Sequence, residues 1–81
     1  MKAKVIVTLK KSVLDPQGVA VKHALETMGY GSVQDVRLGK YMEVRLNETD
    51  PKKAREDLHA MCEKLLANPV IEEYHIEMQD N

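Results

Sequence analysis

The sequence predicts an α+β domain in βαββαβ order, a ferredoxin-like arrangement with a mainly antiparallel sheet and two helices on one face. Three observations carry that expectation. Lys2 to Leu9 alternates with the period of a strand. Asp-Pro pairs at 15–16 and 50–51 each open a stretch whose apolar residues recur at helical spacing. Val33–Leu46 and Val70–Met78 return to strand-like character. All 81 residues fall in this single domain, 1–81.

In the first strand Ala3, Val5, Val7 and Leu9 share one face, and Lys4, Ile6 and Thr8 the other, so Ile6 is apolar on the polar side. The first helix is expected over Gln17–Met28, with Val21, Ala24, Leu25 and Met28 as its stripe. Asp15 caps its free N–H groups, Pro16 presets the first helical φ, and Gly29 stands where a left-handed C-terminal cap belongs. Gly18 fits less well. Glycine inside a helix costs roughly 0.5–1 kcal/mol relative to alanine, so something other than helix stability asks for a small residue there.

Val33–Leu46 reads as two strands joined by a type II′ turn at Gly39 and Lys40. In such a hairpin Val36 and Leu38 share a face with Glu43 and Arg45, while Met42, Val44 and Leu46 point the other way. Either a bulge near Gly39 shifts the register, or both sheet faces are covered. The apolar Ile6 favours a sheet partly buried by oligomerisation. The second helix carries Ala54, Leu58, Met61, Cys62 and Leu65 and ends near Asn68 and Pro69. A last strand follows, with Tyr74, Ile76 and Met78 opposite Glu73, His75 and Glu77.

A chain of this size buries only a little more than about 60% of its unfolded surface. It has no Phe or Trp, and only Tyr30, Tyr41 and Tyr74 supply rings, so a partner copy is an economical source of further core. A net charge of −1 with the two signs intermixed lacks the footprint of a nucleic-acid or anionic-membrane binder. No apolar run approaches the ~20 residues of a membrane span. Lys2 and Lys4 break any signal-like core, and a single cysteine suits a reducing compartment, so the expected location is cytoplasmic.

The search for chemistry comes back empty. His23, His59 and His75 lie on three different elements without metal-ligand spacing, and Cys62 sits in an apolar stripe. Thr8 and Ser12 have no base partner, and Glu72 and Glu73 point to opposite faces of one strand. Gly29-Tyr30-Gly31 follows a helix, the reverse of a phosphate cradle. No catalytic, cofactor-binding or metal-ligating residue is expected. What remains are polar element ends: Asp15, Pro16, Gln17 and Gly18, then Asp35 and Arg37 with Gly39, Lys40 and Tyr41. The bland reading is caps, a hairpin and an Asp35–Arg37 surface ion pair worth about 0–1 kcal/mol. The functional reading is a contact surface, for which arginine and tyrosine beside a turn are common anchors.

The run Leu9, Lys10, Val13, Leu14, Asp15, Pro16, Gln17, Gly18, Ala20 and Val21 resembles the PurS-type small subunit of phosphoribosylformylglycinamidine synthase. The likeness continues through Gly29, Tyr30, Val33, Asp35, Val36, Arg37, Gly39, Lys40 and Glu43. Near the end it takes in Met61, Cys62, Leu65 to Glu72 and Tyr74, with departures chiefly in the tail Gln79–Asn81. The resemblance implies a non-catalytic subunit of purine biosynthesis. It would join a glutaminase subunit to a large ATP-dependent synthetase subunit and help ammonia pass between them. It implies a homodimer or homotetramer and no cofactor bound by this chain alone, with ATP, magnesium and glutamine used by the complex. The alternative is a small-molecule-binding regulatory module of ferredoxin-like fold. RNA binding on the sheet would need exposed stacking aromatics and a basic face, which this chain lacks.

Overall fold

A computed structural model describes residues 1–79. Its elements are β1 (Lys2–Leu9), α1 (Pro16–Thr27), β2 (Gly39–Arg45), α2 (Pro51–Met61) and β3 (Glu72–Gln79), with one π-helical turn, Cys62–Leu66, continuing α2. Of the departing tail only Gln79 lies within the described residues; Asp80 and Asn81 lie outside them.

β1 forms as its alternation requires and takes the middle of an antiparallel sheet ordered β2-β1-β3. Val5 stands between Met42 and Ile76, and Ile6 between Tyr41 and His75. One face therefore gathers Ala3, Val5 and Val7, all at most 1% exposed, with Ile76 beside them. α2 and the π turn that continues it cover this face with Ala54, Leu58 and Cys62, spaced by four and wholly buried. Burying side chains such as Val5 or Leu58 contributes about 1.5–3 kcal/mol each.

α2 starts as read: the Asp50 carboxylate accepts the Lys52 N–H at 3.0 Å and Pro51 holds the first helical position. Its end differs. The Ala67 N–H reaches back five residues to the Cys62 carbonyl at 3.0 Å. This wider turn rotates Leu65 out of the expected stripe, leaving it 83% exposed, and turns Ala67 inward.

The α+β class and the antiparallel sheet stand as read, but two arrangements within them are corrected. Val33–Leu38 is not a strand: it joins no ladder, and β2 begins at Gly39, opposite Thr8. Gly39 therefore makes no II′ turn. Among the described residues only Gly29 has a positive φ, whereas at Gly39 a side chain would run into the Val7 carbonyl of the neighbouring strand. The facial conflict disappears too, since Met42, Val44 and Leu46 pack toward the core and Val36 and Leu38 are outside the sheet.

The second correction concerns α1, which does not lie on the sheet beside α2. It buries only Gly18 and has no extensive packing against another element. The molecule measures 49 × 28 × 14 Å with a radius of gyration of 16.0 Å, against about 12 Å for a compact domain of this length. α1 nevertheless ends cleanly. Gly29, at φ 100°, donates to the Glu26 carbonyl and Tyr30 to the Leu25 carbonyl, closing a Schellman cap.

Candidate functional site

The residues singled out in the sequence meet where α1 leaves the sheet. The Asp15 side chain is the centre. As N-cap it accepts the Gly18 N–H at 2.9 Å through Oδ1, and its second oxygen accepts the Leu38 N–H, also at 2.9 Å. Residues on either side of α1 are thus tied through one carboxylate. Asp15 is 8% exposed, and these two N–H groups, Leu38 foremost, hold its carboxyl below the usual aspartate value, with the Arg37 charge adding to them.

Arg37 makes the second tie. Its Nη2 donates to the carbonyls of Leu9 and of Lys10, the latter at 2.7 Å, at the end of β1. The guanidinium goes to these backbone oxygens and forms no salt bridge with Asp35, which corrects the expected ion pair. Gly18 gains its explanation here. A side chain on it would occupy the position of the Val36 carbonyl oxygen, so the glycine lets segment 35–38 lie against the first turn of α1. Pro16 and Gln17 are exposed beside it.

The same segments enclose an open cleft of about 400 Å³ lined by Lys11, Leu14, Asp15, Val19, Asp35 and Arg37 among others. Gly39 adjoins it at the start of β2. Lys40 and Tyr41 lead away along that strand, Lys40 toward Glu72 (3.9 Å) and Tyr41 to Glu43 (3.1 Å) beside Ile6 on the other face. Lys2, 3.2 Å from Glu43, keeps that carboxyl low, while burial and the Glu43 hydrogen bond push the Tyr41 phenol up. Asp15, Pro16, Gln17, Gly18, Asp35 and Arg37 thus form one corner, and Lys40 and Tyr41 fall on opposite faces of the adjoining strand.

Sequence reasoning missed the backbone half of this site: the carbonyls of Leu9, Lys10 and Val36 and the N–H of Leu38. The misfit of Gly18 in a helix was the one signal pointing to them. It also missed the pairing of His59 Nδ1 with the Tyr74 hydroxyl at 3.2 Å across α2 and β3. Cys62 is wholly buried, with its thiol pushed up by that burial, as suits a core side chain. Among the described residues no group of three or more His, Cys, Asp or Glu is placed to hold a metal ion. Asp15 and Arg37 bond to backbone of their own chain, so the corner's chemistry is that of a brace with an exposed polar rim.

Residues 2–80 match the family model described as PurS, phosphoribosylformylglycinamidine (FGAM) synthase. The chain is 56% identical to phosphoribosylformylglycinamidine synthase subunit PurS of Bacillus subtilis, over 98% of this chain and 93% of that one. Its fold superposes on the crystal structure of Methanocaldococcus jannaschii PurS with a TM-score of 0.87 at 40% identity, covering 99% and 96% of the two chains. It also superposes on a chain of the PurLQS structure from Thermotoga maritima with a TM-score of 0.85 at 33% identity, covering 94% and 93%.

Proposed function

We infer the function from one premise: this chain belongs to the PurS family and is the small subunit of phosphoribosylformylglycinamidine synthase, an enzyme of purine biosynthesis. Within that enzyme its work is assembly. It joins the glutaminase subunit to the ATP-dependent synthetase subunit and aids the passage of ammonia from one to the other. It binds no cofactor of its own and works in the cytoplasm as a homodimer or homotetramer, while the complex uses ATP, magnesium and glutamine.

The observation that carries this reading is the superposition on a chain of PurLQS, since a fold shared along 94% of the chain is suited to a comparable seat in an assembly. Two features support it. Asp15 and Arg37 are engaged with their own backbone, which favours shape over catalysis. The exposed rim, with Gln17, Lys40 and Tyr41, offers donors, acceptors and a ring to a larger partner. No helix among the described residues is long and apolar enough to cross a membrane.

Reconstitution tests it. With purified synthetase and glutaminase subunits, glutamine-dependent amidine formation is expected to require this chain, and formation from free ammonia to proceed far better without it. Equal glutamine-dependent rates with and without the chain would refute the assembly role. Tight calorimetric binding of an amino acid or nucleotide by the isolated chain would point instead to the regulatory module.

A further inference from the structure

The cleft beside the brace, about 400 Å³ in volume, has a lining that the chain itself does not use up. Its aliphatic part is Val13, Leu14, Val19 and Val36, of which Leu14 is 73% and Val19 55% exposed. Val19 precedes Val21 by two residues and so stands about 160° from it round the helix. The cleft and the Val21–Met28 stripe therefore occupy different sides of α1. A cover over the stripe does not by itself close the cleft.

The charged part of the lining is unequally spent. Asp15 is satisfied by the N–H groups of Gly18 and Leu38, one on each oxygen. Arg37 is half-buried and uses only Nη2, on the neutral carbonyls of Leu9 and Lys10. Among the described residues neither Arg37 nor the exposed Lys11 has a carboxylate within salt-bridge distance. The guanidinium thus keeps its charge, and the N–H donors of Nε and Nη1, for an anion from outside the chain. Asp35, exposed on the same rim, is unpaired as well.

We propose that this cleft seats a short segment of a larger synthase subunit in which an Asp or Glu stands beside an aliphatic residue. The carboxylate meets Arg37 and Lys11, the aliphatic side chain lies on Val19 and Val36, and Asp35 accepts an N–H of the same segment. A protein segment suits the site better than a free metabolite. An open cleft covers too little of a small molecule, whereas a segment carried by its own subunit needs only a foothold. The brace keeps the seat stiff, so little ordering is paid on binding. This deepens the assembly reading above and rests on it.

The test uses Val19→Trp, which fills the cleft, and Lys11→Glu, which reverses its free charge; both side chains are exposed in the single chain. Binding of the full chain to the purified larger subunits is measured by calorimetry at low and at moderate salt. Each variant should bind about tenfold more weakly than wild type, with melting temperature and homo-oligomeric mass unchanged. Lys11→Glu should also lose much of the salt dependence. A photo-crosslinking residue in place of Val19 should label a larger subunit where an Asp or Glu adjoins an aliphatic residue. Should Val19→Trp fail to fold, Lys11→Glu and the label decide. Wild-type affinity in both variants overturns the seat, and so does a label found only on a second copy of this chain. Either result leaves the assembly reading standing if the wild-type chain still supports glutamine-dependent turnover. A wild-type chain that binds neither larger subunit overturns the assembly reading and the seat together.

Discussion

The carbonyl oxygen of Val36 fills the space that any side chain on Gly18 would need. The two residues are 18 positions apart in sequence, and their contact fixes how closely the returning segment can approach α1. Helix propensity alone says Gly18→Ala should stabilise by about 0.5–1 kcal/mol. The contact reverses the sign. Forcing a methyl against backbone costs about 1–3 kcal/mol, so Gly18→Ala should lower the melting temperature and Gly18→Val should lower it more. A rise in Tm for the alanine variant would show that the close approach is not made.

Asp15 gives the corner a dependence on pH. Its folded-state carboxyl lies below the ordinary aspartate value, first through the Leu38 N–H and then that of Gly18. A depressed carboxyl contributes stability that is full above the unfolded value and is lost as pH falls through the folded one. Thermal unfolding from neutral pH down to about pH 2 should show Asp15→Asn less stable than wild type at neutrality. The gap should close in acid.

Arg37 should behave as a tie and not as a surface charge. Removing a side chain that serves two backbone carbonyls should cost about 1–3 kcal/mol in Arg37→Ala. Lysine, with a different donor geometry, should restore only part of it. Amide exchange at Leu38 should quicken. In the reconstituted enzyme, glutamine-dependent turnover should fall while ammonia-dependent turnover is spared.

Cys62 is wholly buried and its thiol is raised by that burial, so the reactive thiolate is scarce in the folded chain. Alkylation under native conditions should track unfolding, and at mild denaturant its rate should match global opening measured by amide exchange. Fast labelling without denaturant would mean that the π turn over Cys62 opens locally.

What could be read from residues alone was what is local and periodic. β1 has the expected bounds, both Asp-Pro helix starts are in place, Gly29 caps α1, and the Ala54-Leu58-Cys62 row faces the core. The errors lie where a tertiary contact overrode a local preference. Val33–Leu38 has strand-forming residues, but Asp15 takes the Leu38 N–H and Val36 is pressed against Gly18, so no ladder forms. Leu65 matched the helical period until the π turn added a residue to it. The corner was found through its unusual residue types, and its backbone partners were not, because carbonyls and N–H groups carry no letter in a sequence.

The place of β1 in the sheet has a consequence for how this chain folds. The central strand comes before both of its neighbours, pairing with β2 from residue 39 and with β3 from residue 72. Hence Val5 and Val7 must wait, one edge bare, until most of the chain has been made. Folding that depends on such distant pairings is slow for the size of the protein, nearer milliseconds to seconds than microseconds. During that interval the nascent chain offers an apolar strand with unpaired edges, the kind of surface that invites association between unfinished chains.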